Sequence, residues 1–151
     1  MSASGADPGF HLEVPVGWIT RDDVAPFALV ATPADRHGGF TANLTVLDAR
    51  SEAAAQGFDA YAGAQLAGIA RDLAEPVLVA VDRVRQDGGT PALDLVCAHA
   101  VAGHDVTMVQ RHLLTGGDRA VVASATAADG QWPDVAALLT RAVRSLRATE
   151  S

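Results

Sequence analysis

Between residues 93 and 126 stand several side chains of types that could do chemistry, His99, His104, His112 and Cys97. If Ala102-Gly103 forms a two-residue turn, Val101 faces His104, Cys97 faces Met108 and Leu93 faces His112. His99, His104, His112 and Cys97 then share one face of the sheet. A zinc-type centre needs His and Cys ligands converging within about 2.3 Å of one ion. This register keeps His99 and His112 far apart, so no metal centre is expected. Cys97 then reads as a small buried hydrophobe. On the opposite face Asp94 lies across from Arg111, an opposite-charge pair of the kind that stabilises sheets.

Other candidates fare no better as catalysts. Asp35-Arg36-His37-Gly38-Gly39 has the residue types of an active-site loop but no neighbouring nucleophile, so a turn is the better reading. His11, His37, Asp22, Asp23 and Asp35 form a hydrolytic or metal site only if loops bring them together. Ser124 lies inside a strand-like run, and no G-x-S-x-G elbow is present. There is no G-x-G-x-x-G or phosphate-binding loop either; the Gly-Gly pairs sit between strands. No catalytic residue and no cofactor is expected. Asn43 stands in a strand-like run, where Asn is unfavourable, and either lines a pocket or bonds a neighbouring loop. Asn43, His99 and His112 are the candidate ligand-binding residues.

The elements that position these groups follow from periodicity. Phe10, Leu12 and Val14 alternate with polar residues as in a half-buried strand, which Pro15 ends. Val16-Gly17-Trp18 reads as a turn returning the indole to the sheet. Val24–Ala31 and Phe40–Leu47 are further expected strands, with Pro26 implying an edge or an irregular start. From Ser51 to Leu73 the period becomes helical, with Phe58, Tyr61, Ala62, Leu66, Ile69 and Leu73 on one face. Glu75-Pro76 is expected to end that helix. Val77–Val81 is a β-branched strand, and Asp87-Gly88-Gly89-Thr90 turns into the hairpins Leu93–Val101, His104–Leu114 and Arg119–Thr126. Pro133 suits the first position of a last helix running to about Arg147, with Arg141, Arg144 and Arg147 complementing its dipole.

Composition bounds the partners. The 151 residues carry a net charge of −7, which argues against nucleic acid and anionic membrane. No apolar run approaches the ~20 residues of a membrane span. The first nine residues show no basic and apolar leader pattern, so a cytoplasmic location is expected. A lone Cys97 leaves no intramolecular disulfide.

Three stretches resemble a known family: Phe10-His-Leu-Glu-Val-Pro-Val-Gly-Trp18, Gly39-Phe-Thr-Ala-Asn-Leu-Thr-Val46, and Trp132-Pro-Asp-Val with Ser145-Leu-Arg147. In order and spacing they look like the actinobacterial LpqN-type domains. Those are related to the PsbP subunit of photosystem II and to a small Ran-binding nuclear transport factor. The resemblance implies a PsbP-like α/β/α sandwich and a non-enzymatic adaptor, assembly or chaperone role. It brings no catalytic residues to carry over.

Together these readings give an α+β, three-layer sandwich around a mostly antiparallel sheet of about six to seven strands. Residues 1–8 are expected as a disordered tail, 9–147 as one domain and 148–151 as a C-terminal tail. The expected role is non-catalytic protein binding by a monomer or weak homodimer. The alternative is a small-ligand protein or enzyme with a pocket between helix and sheet.

Overall fold

Along Arg119–Ala128 the odd positions 121, 123, 125 and 127 are Val or Ala, while 124 and 126 are Ser and Thr. That period of two gives a strand with an apolar side and a polar side, and the whole fold is arranged about it. The computed structural model describes residues 9–35, 39–86 and 88–149. In chain order the elements are β1 (Phe10–His11), β2 (Trp18–Arg21), β3 (Leu29–Pro33), β4 (Asn43–Arg50), α1 (Glu52–Gln56) and α2 (Phe58–Asp72). There follow β5 (Ala74–Arg85), β6 (Pro91–Val101), β7 (His104–Gly116), β8 (Arg119–Ala128), α3 (Trp132–Arg144) and β9 (Arg147–Ala148).

Seven strands form one antiparallel sheet in the order β2-β3-β4-β8-β7-β6-β5. The hairpin register is the expected one: Val101 pairs with His104, Cys97 with Met108 and Leu93 with His112. Ala102 and Gly103 both take positive φ, 50° and 82°, as a two-residue hairpin turn matched to strand twist requires.

Helices cover the two faces, completing the α+β sandwich. On one face Leu139, Ala142, Val143 and Leu146, from α3 and just beyond it, pack with Phe10 and Leu12 over Leu44, Val46, Val109, Leu113 and Val121. Ala123, Ala125 and Ala127 are fully buried there, and their small side chains allow helix and strand to approach closely. On the other face Ala54, Tyr61 and Ala62 sit over Leu93, Leu95 and Ala120, with Phe58, Leu66 and Ile69 packed around them.

Several boundaries differ from expectation. The strand placed at Val24–Ala31 starts only at Leu29 and runs to Pro33 as β3, and Trp18, expected to end a turn, instead opens β2, because Trp18–Arg21 pairs with Val30–Pro33. β3 is also interior, paired with β2 and β4, so it is not the sheet edge. The strand expected at Phe40–Leu47 begins at Asn43 and runs to Arg50, because its register with β8 persists to Arg119. The single helix becomes α1 and α2, broken at Gly57, whose φ of 119° is incompatible with a helix. Glu75-Pro76 lies within β5 rather than before it, accommodated where the β5–β6 register slips between Ala74 and Val77. α3 stops at Arg144, and Arg147 and Ala148 pair with His11 and Phe10 instead. The tail at residues 1–8, the turn at His37-Gly38 and Asp87 lie outside the described residues.

Candidate functional site

α2 covers only part of its face, leaving the central strands β4, β8 and β7 open beside it. Cross-strand register stacks their side chains in rows: Asn43, Thr126 and Met108; then Thr45, Ser124 and Gln110; then Leu47, Val122 and His112. The result is a groove of about 570 Å³ that Tyr61 and Gln65 wall from the α2 side. Its floor is built of amides and hydroxyls flanked by apolar patches. Arg50 is the one charged residue among the described lining.

A chain of hydrogen bonds runs from the helix into this floor. Tyr61 Oη lies 2.6 Å from His112 Nδ1, and His112 Nε2 lies 2.8 Å from Gln110 Oε1. Gln110 Nε2 then donates to Ser124 Oγ at 2.8 Å. Because the Gln110 oxygen only accepts, His112 carries its proton on Nε2, and its Nδ1 accepts the Tyr61 hydroxyl. Burial pushes the imidazole down to about 4, against a weaker pull from Asp94. Burial likewise raises the Tyr61 phenol. Both groups are therefore neutral at pH 7, and the chain positions polar atoms without supplying charge.

Its direction decides the chemistry. An activated serine donates its proton to a base, whereas Ser124 Oγ accepts an N–H from an amide. The neutral His112 uses both ring nitrogens within the network, so neither is available to a substrate. Gln110 therefore stands between His112 and Ser124, and the two are not in direct contact as a nucleophile–base pair would be.

The three candidate residues are not brought together. Asn43 and His112 both line the groove, two rows apart, and Asn43 Nδ2 donates to the Thr41 carbonyl at 3.3 Å. His99 shares their face but pairs with Val106, six residues along β6 from the partner of His112, about 20 Å at strand rise. It is buried, and neither ring nitrogen has a hydrogen-bond partner among the described residues. No three His, Cys, Asp or Glu side chains cluster as metal ligands would among the described residues. Cys97 is buried, and desolvation raises its thiol pKa, which suppresses the reactive thiolate. Thr45, Ser124, Thr126, Gln110 and Tyr61 were not singled out from the sequence as site residues. The polar alternation of Ser124 and Thr126 within a central strand is a signal by which those two could have been found.

On the opposite face Asp94 and Arg111 form the expected pair as a bidentate contact, both bonds 2.8 Å, buried beneath α3. Arg111 Nη1 also donates to the carbonyl of Arg144, so the pair anchors the helix C-terminus. It is a structural device on the face opposite the groove.

No family model and no curated protein matches the sequence. Solved structures do. The cyanobacterial PsbP (CyanoP) of Synechocystis matches with a TM-score of 0.71 and 15% identity, covering 99% of this chain and 92% of that one. LpqN of Mycobacterium tuberculosis, described as involved in cell envelope biogenesis, gives 0.66 and 13% over 99% and 90% of the two chains. A variant of the protein Mog1 gives 0.61 and 16% over 100% and 96%. At these identities the likeness is one of fold, and the fold is PsbP-like.

Proposed function

We propose that this chain is a non-catalytic binding domain, an adaptor or chaperone-like module that receives a protein partner in the groove between α2 and the central strands. One observation carries the reading. Rows of amides and hydroxyls lie half-exposed at the centre of a sheet, where a helix would otherwise cover them, and the Tyr61–His112–Gln110–Ser124 chain fixes their orientation. Preorganised neutral donors and acceptors suit the backbone and uncharged side chains of a partner segment. An actinobacterial LpqN-type origin belongs to the same proposal, on the motifs quoted above. So does a cytoplasmic setting, which fractionation of native cells tests.

The experiment is affinity purification from the native cell with wild-type bait and with Thr126→Arg, which fills the groove. A stoichiometric partner captured by the wild type and lost with T126R supports the reading. Capture of the bait alone, or a partner indifferent to T126R, overturns it. The groove's volume also lies in the range of small-molecule pockets. A thermal shift with a neutral polar metabolite, abolished by T126R, would favour that second reading.

A further inference from the structure

Both ring nitrogens of His99 are buried without a hydrogen-bond partner among the described residues, and the residue is only 9% exposed. An imidazole presents a donor or an acceptor at each nitrogen in every protonation state. Folded proteins rarely leave such atoms unmet, and one that stays unmet marks a place where a water, an ion or a ligand belongs.

Two sulfur atoms stand beside it. Cys97 lies two residues back on the same face of β6, about 7 Å along the strand. It is fully buried, and its S–H donates to the carbonyl of Ala98 at 3.5 Å, a weak bond. Across the ladder Cys97 pairs with Met108 and His99 with Val106, so Met108 is directly opposite the thiol and diagonal to the imidazole. Opposed Cβ atoms lie about 5 Å apart and diagonal ones about 7–8 Å, a span that long side chains bridge. The expectation against a metal centre rested on His99 and His112, which the fold does keep apart. The Met108 thioether completes a different set, in which no third His, Cys, Asp or Glu joins Cys97 and His99 among the described residues.

That donor set selects its ion. Zinc in a closed site takes four ligands. On a single thiolate it would also leave a net positive charge among apolar neighbours such as Leu95 and Val106, both buried. A monovalent ion on one thiolate is a neutral pair. Thiolate and thioether sulfur favour copper(I), and imidazole accepts it as well. We infer that Cys97, His99 and Met108 form a copper(I) site beside the row of the groove that holds Met108. Binding breaks the Cys97 S–H bond, releases that proton to solvent and forms a Cu–S bond with the thiolate electron pair, while copper keeps its oxidation state. Met108 is half-buried and lines the groove, so its thioether is the point of entry. The site stands apart from the proposed protein partner and needs no occupant in the groove.

Anaerobic titration of the reduced full chain with copper(I), in competition with the chromogenic chelator bicinchoninate, tests this. The wild type should withhold one equivalent from the chelator, and zinc(II) should not displace it. Cys97→Ala should abolish retention. Met108→Leu conserves volume and His99→Phe removes the unmet nitrogens, so both should fold, and each should weaken binding about tenfold or more. No equivalent retained by the wild type overturns the proposal. So does retention unchanged in C97A, or in both M108L and H99F, or a site that prefers zinc(II). Nuclear magnetic resonance of the wild type decides without any variant, because copper(I) is diamagnetic. The His99 imidazole and Met108 methyl signals should both shift on loading, and unmoved signals overturn the site.

Discussion

The hydroxyl of Tyr61 on α2 meets Nδ1 of His112 on β7 at 2.6 Å, inside the protein, and through it the helix is bonded to the sheet. The rings also meet edge to face, with centroids 5.5 Å apart. A single contact thus joins packing, protonation state and groove geometry, because the same imidazole orients Gln110 and, through it, Ser124.

Tyr61→Phe keeps the ring and removes the donor, leaving a buried Nδ1 acceptor unmet. The expected loss is about 1–3 kcal/mol of stability, read as a lower urea midpoint with an unchanged slope. An unchanged midpoint would mean that the hydroxyl does not hold the helix.

Stability should fall with acid in a defined window. The His112 imidazole titrates at about 4 when folded and near its ordinary 6.5 when unfolded. Between those values the unfolded chain binds the extra proton, so lowering the pH favours unfolding. The full contribution is present above pH 6.5 and is lost as pH falls to about 4. Between pH 7 and pH 5 the loss is about 2 kcal/mol. Urea unfolding at the two pH values measures it, and His112→Gln should flatten the difference.

Asp94 and Arg111 should behave as a unit. Removing the carboxylate alone, as in Asp94→Leu, strands a buried guanidinium and should cost about 3–5 kcal/mol. Pairing it with Arg111→Met should recover most of that loss, since an apolar pair avoids the desolvation cost of two charges. A double variant as unstable as the single one would show that the Arg111 bond to the Arg144 carbonyl, and not the ion pair, is what matters.

The hairpin turn offers a gain. Ala102 sits at a φ of 50°, a left-handed conformation that costs a residue with a Cβ about 1–2 kcal/mol. Ala102→Asn, with Gly103 unchanged, converts the turn to the preferred Asn-Gly pair. A rise of roughly 0.5–1 kcal/mol in unfolding free energy is expected, with thermal melting as the readout.

Local chemistry determined much of this fold. Alternation along 93–126, with glycine-containing turns, specified three consecutive strands and their register, because a slip of one residue would move every apolar side chain to the other face. That register alone placed Asp94 against Arg111. The helical stripe Phe58, Tyr61, Leu66 and Ile69 identified the packed face of α2, and Pro133 marked the start of α3. Other features depended on distant partners. Whether Gly57 or Pro76 breaks an element depends on what the chain packs against next, so the split helix and the early start of β5 were not legible locally. Sheet order is likewise non-local: only the assembled ladder decides that β3 is interior and β5 is the open edge. The groove follows from the same cause. Asn43 stood out as an Asn within a strand, but Ser124, Thr126 and Thr45 are unremarkable strand residues until β4, β8 and β7 align them in rows and α2 stops short of covering them.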